Sequence, residues 1–460
     1  MDFDAYLSAL RGKRVAVLGA GVSNRPLIAL LRAHGVAVTV RDKKEDLGEY
    51  ADTLRQNGCS LCLGPEYLQN LTEDVIFRTP GLRPDLPELC AAVERGSVLT
   101  SEMEAFFTVC PCRKIAVTGS DGKTTTTTII AKLLEAAGKR VHLGGNIGHP
   151  LFAETAEIAP SDWAVLELSS FQLMTMTQSP EIAVITNLSP NHLDYHRDYS
   201  EYIAAKENIF TYQTARDMAV FNADNDVTAR EAERAAGRAR LFSRRQELPD
   251  GVFLRGEEII SRCPAGERTV LRTTDIRLPG VHNVENYLAA VAAVDGMVPD
   301  ADIRTFARTF AGVEHRIEWI RTRNGVRWYN DSIASSPSRT TAGLNAFPEK
   351  VILIAGGKDK GISYTDLGPV INAHVKYLIL CGATAGVIRK ATEQAENYQG
   401  LPIVDVEDYQ QAVAAADRAA RAGDVVILSP ASTSFDRFAN FMERGRVFKE
   451  IVNALPEEKR

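Results

Sequence analysis

Short apolar strands, each closing on a glycine or polar turn and followed by a helical stretch, recur along this chain from Val15 to Leu428. Units of this kind assemble into open, mostly parallel α/β sheets with helices on the faces. Ligands of such sheets bind outside the carboxyl ends of the strands, so the turns are where chemistry is to be sought. With 460 residues, the length prior is about three domains.

The first segment opens with the strand Val15 to Leu18, then Gly19, Gly21 and Ser23, then an apolar-periodic stretch from Leu27 to Leu31. A second strand, Val36 to Val40, ends at Arg41-Asp42. This is the opening of a Rossmann-like βαβ unit, in which Asp42 could bind a ribose hydroxyl. Asn24 stands where the third glycine of the fingerprint belongs, and a plain tight turn accounts for the segment equally well. Farther on, Val75 to Phe77 reads as a strand that releases Thr79-Pro80-Gly81-Leu82 at its end.

The second segment carries the sharper signal. The strand Lys114 to Val117 leads into Thr118-Gly119-Ser120-Asp121-Gly122-Lys123-Thr124-Thr125. Its glycines let the backbone approach a phosphate, Lys123 can reach the β/γ-phosphates, and the Thr124 hydroxyl can bind magnesium. The strict phosphate-loop pattern wants glycine at 117, where valine stands, so strand–loop–helix context carries the reading. The following helix begins with five threonines, poor helix formers, which suggests an N-terminus used for another purpose. Polar groups then recur at strand ends: Asn146, Glu167 with Ser169, and Asn187 leading to His192 and His196. A carboxylate within an apolar strand is costly unless paired or metal-bound, so Glu167 with Thr124 suits magnesium. His196 reads as a solvated or capping residue, and Lys206 within Tyr199 to Tyr212 as a snorkelling one. Ala232 to Arg245 reads as a solvated helix or loop. Asn283 and Asn286 share the opening face of a further helix.

A third segment has strands at Val326 to Tyr329, Val351 to Ala355, Lys376 to Cys381, Ile403 to Val406 and Asp424 to Leu428. Helical stretches lie between them, which predicts another doubly wound parallel sheet. Its strand ends carry Asn330-Asp331-Ser332, Gly356 to Gly361 and Ser429 to Ser434.

Composition excludes other classes. A net charge of −6 gives no footprint for nucleic acid. No apolar run nears the ~18 residues of a membrane span. The start MDFDAYLSALRGK lacks the apolar stretch of a secretory signal, so a cytoplasmic chain without membrane insertion is expected. Seven cysteines are too few and too odd in number for a disulfide scaffold. Cys59-x-x-Cys62 and Cys110-x-Cys112 read as ordinary cysteines rather than a metal or redox site.

Taken in order, several stretches resemble the Mur ligases, of the type that adds D-glutamate to UDP-N-acetylmuramoyl-L-alanine. They are Thr118 to Thr125, Leu166-Glu-Leu-Ser-Ser-Phe-Gln-Leu173, Asn187 to His196, Tyr202-Ile-Ala-Ala-Lys206, Glu314-His-Arg316 and Leu428 to Phe438. The resemblance spans the chain from the opening glycine turn to Phe448. It implies an α/β fold of three domains: a Rossmann-like N-terminal domain over 1–109 for the UDP-substrate, a P-loop-type central mononucleotide-binding sheet over 110–314 for ATP, and a Rossmann-like C-terminal domain over 315–460 for the amino acid. By matching position, Val22, Ser23, Asp42, Lys43, Thr79, Pro80, Gly81, Asn146, Ser169 and His192 would contact the UDP-linked substrate. Gly119, Ser120, Asp121, Gly122, Lys123, Thr124 and Thr125 would hold ATP phosphates, with Asn283, Asn286, His315, Arg316 and Asp331 completing the nucleotide contacts. Thr124 and Glu167 would hold one magnesium ion. His192 and Lys206, the latter N-carboxylated, would hold a second. Lys123, His192, Lys206 and Arg316 would be catalytic, and Lys360, Ser434, Phe435 and Phe441 would bind D-glutamate. The reaction implied is ATP-dependent amide formation through an acyl phosphate, by a monomer.

One position departs from the family. Many relatives carry lysine after the Asp-Ser pair, whereas Asp331-Ser332 is followed by Ile333. Lys360, Lys358 or Arg339 is then the source of charge for the substrate carboxylate. Other readings are a sister ligase of the Mur or folylpolyglutamate type, a dinucleotide-dependent oxidoreductase, which leaves Lys123 unexplained, and a non-catalytic nucleotide-binding regulator, which has no need of Glu167, His192 and Lys206 together.

Overall fold

The computed structural model describes residues 1–359 and 361–456, with Val22 by its backbone alone. The described residues form three sheets. They fall into two compact units, 1–273 with 285–306, and 274–284 with 307–460.

The first unit holds two sheets. One is wholly parallel, with β1 (Arg14–Leu18), β2 (Ala37–Asp42), β3 (Ser60–Leu63), β4 (Val75–Phe77) and β5 (Val98–Thr100) in the order β3-β2-β1-β4-β5. The order reverses between β1 and β4, and at such a switch point the two strand-end turns diverge around a crevice. A methyl group built on Gly19, after β1, would stand 3.5 Å from the Thr79 side chain, after β4.

The other sheet contains β6 (Arg113–Thr118), β7 (Val141–Gly145), β8 (Trp163–Glu167), β9 (Ile182–Ile185), β10 (Met218–Asn222), β11 (Arg238–Ser243), β12 (Gly251–Arg255), β13 (Glu258–Cys263) and β14 (Gly266–Arg272). Its order is β14-β13-β12-β11-β10-β9-β6-β8-β7, parallel from β7 to β12 and antiparallel at the β12–β14 end. The register aligns Val117 of β6 with Glu167 of β8, and Gly145 of β7 with the same glutamate. Three strand ends therefore meet at Glu167. The apolar runs of β6, β8 and β9 are buried, as two-sided parallel strands must be.

In the second unit, β15 (Glu318–Arg323), β16 (Val326–Asn330), β17 (Val351–Ala355), β18 (Val375–Cys381), β19 (Ile403–Val406) and β20 (Val425–Leu428) take the order β15-β16-β20-β17-β18-β19. β20 lies between β16 and β17, so the turns after these three strands adjoin.

Three sequence expectations are corrected. Ala232 to Arg245 is not a solvated helix or loop throughout, because it contains β11, whose Arg240 is buried against Asp250 and Asp295. The third sheet is not purely parallel, since β15 adds an antiparallel edge strand to β16. His196 is buried rather than solvated, with Nε2 2.9 Å from the Ser170 hydroxyl, and burial pushes its pKa down. Among the described residues, no helix is long and apolar enough to cross a membrane.

Candidate functional site

The loop after β6 is built so that only glycine fits at two positions. Gly119 (φ 148°) leaves no room for a Cβ, which would fall 1.9 Å from the Thr186 hydroxyl. Gly122 (φ 79°) caps the helix Lys123–Ala136 in the left-handed region, and its Cβ would meet Asn286 Oδ1 at 2.4 Å. The Thr186 hydroxyl donates to Asp121 O at 2.6 Å, and Asn187 Oδ1 accepts from Asp121 N at 3.0 Å. The end of β9 thus holds the loop open from below. Ser120 Oγ lies 2.8 Å from the Tyr202 hydroxyl.

The threonine run that follows has a physical explanation. Thr127 and Thr128 donate their hydroxyls to the carbonyls of Lys123 and Thr124, four residues back, at 2.8 Å each. Thr126 Oγ1 donates to Asn286 Oδ1 at 3.2 Å, and Thr125 is buried. Three of these hydroxyls are thus satisfied, and the Thr124 side chain stands at the helix mouth. Lys123 Nζ donates to Gly119 O and Ser120 O, both at 3.0 Å.

Glu167 is 2% exposed. One carboxylate oxygen accepts from Thr124 Oγ1 at 2.7 Å and the other from Asn146 Nδ2 at 2.7 Å. Lys206, expected as a snorkelling side chain on its own evidence, is also 2% exposed. Its Nζ donates to Thr118 Oγ1 at 3.0 Å and to Gly119 O at 2.8 Å. Burial, then the Lys123 charge, push its pKa well below the usual lysine value. The loop, Thr124, Glu167, Asn146 and Lys206 are therefore one cluster. His192 is exposed on a left-handed turn (φ 54°), its ring edge-on to Phe171 with centroids 5.0 Å apart. Ser169 caps the short helix Ser170–Leu173 in a reciprocal pair with Gln172.

In the first sheet, Asp42 holds the glycine turn. Its carboxylate accepts from Ala20 N at 2.7 Å and from Lys44 N at 2.9 Å. Asn24, in place of the third glycine, donates to Leu18 O and Gly19 O and so ties the turn down. Ser23, Lys43 and Gly81 are exposed and Thr79 and Pro80 half-buried around the switch point. Arg78 was not among the expected residues. It is fully buried, donating to Pro80 O and Leu82 O on one side and to Phe171 O and Thr175 Oγ1 on the other. Its one sequence signal is a cation closing a strand just before the Thr79 turn.

In the second unit, Asp331 is 3% exposed and accepts from Ser429 Oγ at 2.7 Å and Ile317 N at 3.3 Å. His315 Nδ1 is 3.0 Å from Asn330 Nδ2, and the His315 ring stands edge-on to Phe441 at 6.1 Å. Phe441 O accepts from Ser332 Oγ at 2.7 Å. Arg444, also unexpected, is buried and donates to Ser332 Oγ, Ser332 O and Ser432 O, tying two strand-end turns together. The Lys358 and Thr433 backbones pair, placing the turn after β17 against that after β20. Ser434 is buried at this turn, whereas Phe435 is 62% exposed. Asn283, on the segment 274–284 of this unit, donates to Pro279 O at 2.6 Å. Lys360 lies outside the described residues.

Burial pushes the Asp331 carboxyl up from 3.8 to about 7, against the Ser429 hydrogen bond and the Arg316 charge. The folded value stands above the unfolded one, so the folded chain binds more protons between about pH 4 and pH 7 and loses stability as pH rises through that window. Asp331→Asn cannot ionise. It is expected to flatten this dependence, by at most about 1.4 kcal/mol per pH unit. Thermal unfolding at about pH 5 and pH 8 measures the effect, and parallel trends for parent and variant count against it.

Comparison with known proteins places these clusters. Residues 117–294 match the Mur ligase middle domain and residues 315–432 the Mur ligase, glutamate ligase domain. The UDP-N-acetylmuramoylalanine–D-glutamate ligase of Acetivibrio thermocellus is 52% identical over 458 residues, 98% of each chain. That of Ruminiclostridium cellulolyticum is 50% identical over 459 residues, covering 98% of this chain and 99% of the relative. The fold matches the crystal structure of a UDP-N-acetylmuramate-alanine ligase from Thermotoga maritima, with a TM-score of 0.58 at 19% identity, over 96% of this chain and all of that one. The phosphate-loop cluster lies within the first matched domain and Asp331 with its partner Ser429 within the second, and the likeness to the two ligases runs from end to end: the chain belongs to the Mur ligase family.

Proposed function

We propose that this chain joins D-glutamate to UDP-N-acetylmuramoyl-L-alanine in the cytoplasm, as a monomer, with cleavage of ATP to ADP and phosphate. The observation that carries the reading is the buried Glu167 carboxylate, held by Thr124 and Asn146 at the mouth of the Lys123 loop. The names of the full-length relatives supply the substrates.

The donor chemistry suits magnesium, which takes oxygen ligands and keeps several waters. Glu167 and the Thr124 hydroxyl would hold one ion. Among the described residues no three His, Cys, Asp or Glu side chains gather as a metal site, so phosphate oxygens and water would complete the shell. His192 and a carboxylated Lys206 would hold a second ion. Magnesium, when bound, neutralises charge on the phosphates.

A carboxylate and an amine do not condense in water unaided. The L-alanine carboxylate attacks the γ-phosphorus, ADP leaves, and an acyl phosphate forms. The D-glutamate amine then adds to the acyl carbon and loses a proton, and the tetrahedral intermediate expels phosphate. Phosphoryl transfer asks mainly for positioning and charge neutralisation. Lys123 and the loop N–H groups would receive the phosphates, Arg316 would offset their charge, and His315, Asp331, Asn283 and Asn286 would hold the nucleoside. The region 1–109 would bind the UDP end along Ser23, Asp42, Lys43 and the 79–81 turn, 110–314 would bind ATP, and Ser434, Phe435, Phe441 and Lys360 in 315–460 would receive D-glutamate.

Phosphate release measured with each substrate omitted in turn tests the proposal. Release is expected only when ATP, the muramoyl substrate and D-glutamate are all present. Release with a different amino acid but not D-glutamate, or release without the muramoyl substrate, overturns it.

A further inference from the structure

D-Glutamate carries two carboxylates, and hydroxyls or backbone groups can orient a carboxylate without neutralising it. The turn after β16 offers no cation of its own, because Ile333 follows Ser332. That turn is tightly pinned: Ile333 N donates to His315 O, and Ser335 N to Ile333 O. Arg444, the cation beneath it, is buried and committed to Ser332 and Ser432. Arg339 is differently placed. It lies in the first turn of the helix Pro337–Leu344 and is exposed. Its Nη1 donates to Ile333 O at 3.3 Å, which sets the guanidinium over the backbone of residue 333. Among the described residues it has no other hydrogen-bond partner and no carboxylate within ion-pair distance, so most of its five donors remain for a ligand. Desolvation and the Arg316 charge lower its pKa while Asp331 raises it, so it shares the electrostatic field of the Asp331 cluster.

Resting on the function proposed above, we infer that Arg339 is a specificity-determining residue that binds a carboxylate of the incoming amino acid, taking the place of a cation at position 333. A planar fork suits a carboxylate better than an ammonium, because it bonds both oxygens at once.

Steady-state phosphate release by the parent, Arg339→Met, and Arg339→Met combined with Ile333→Lys tests the inference. Removing one partner of a charge-assisted pair is expected to raise KM for D-glutamate about thirtyfold or more. KM for ATP and for the muramoyl substrate should stay within about twofold in the same assay. A lysine at 333 should recover part of the loss, which a merely structural defect would not allow. An unchanged KM for D-glutamate, or an equal rise for ATP, overturns the inference while leaving the proposed function standing. A parent enzyme that releases no phosphate in response to D-glutamate overturns the proposed function itself.

Discussion

Lys206→Ala is expected to lower turnover about a thousandfold, the scale for removing a charged group that steadies a developing charge in a dry site. The argument starts from where the side chain lies. Its amine is enclosed, and its two acceptors belong to Thr118 and Gly119, at the neck of the phosphate loop. An ammonium there would repel a metal ion. Addition of the amine to carbon dioxide, with loss of a proton, turns it into an anion able to receive one. The alanine variant keeps the fold's apolar contacts through Tyr202, Ile209 and Phe210 and leaves a space where a small carboxylic acid can stand in. Formate or acetate should therefore restore part of the phosphate release, and bicarbonate, lacking an amine to modify, should not. Full activity in the variant, or rescue by bicarbonate alone, would sink the idea.

The second large effect is expected at Lys123. Its ammonium spans two carbonyls of the loop that the glycines hold open, so the charge sits over the N-terminus of the helix Lys123–Ala136. Replacement by alanine should cost about a thousandfold in turnover at saturating ATP, because on the function proposed above phosphate charge that spreads during transfer would lose a cation at the loop. Arginine should recover little, since a rigid fork does not act as a compact point charge. Circular dichroism should match the parent, as the side chain is half-buried and stands outside the apolar core. A loss below about tenfold at saturating ATP would show that the loop amides alone carry the phosphates.

Much of this architecture was legible in the sequence wherever a short, mainly apolar run ends at a turn. Val75–Phe77, Val141–Gly145, Ile182–Ile185, Val351–Ala355 and Ile403–Val406 were readable to the residue. The strand β11 was hidden because Arg240 occupies an inward position and looks solvated until Asp250 and Asp295 are brought to it by the fold. The strand β15 reads as polar because it is an edge, half-exposed along its length. For the candidate site, Glu167 announced itself as a charge in an apolar strand. Lys206 and His196 did not, because what buries them is remote: Thr118 lies 88 residues before Lys206, and Ser170 lies 26 before His196. The resemblance supplied the role proposed for Lys206, where periodicity alone pointed to the surface.

The Arg78 anchorage divides the turn at 79–82 into two inheritances. Most of the groups that Arg78 grips are main-chain carbonyls, with Thr175 as a side-chain acceptor. Main-chain acceptors survive substitution of the residues that carry them. The location of the turn is therefore encoded at Arg78, while its side chains, Thr79 and Leu82 included, are left to be shaped by whatever they touch. If the turn binds the UDP-linked substrate as proposed above, such an arrangement would let its surface drift in chemistry without drifting in place, so the turn could be refitted to a new ligand while the arginine is spared.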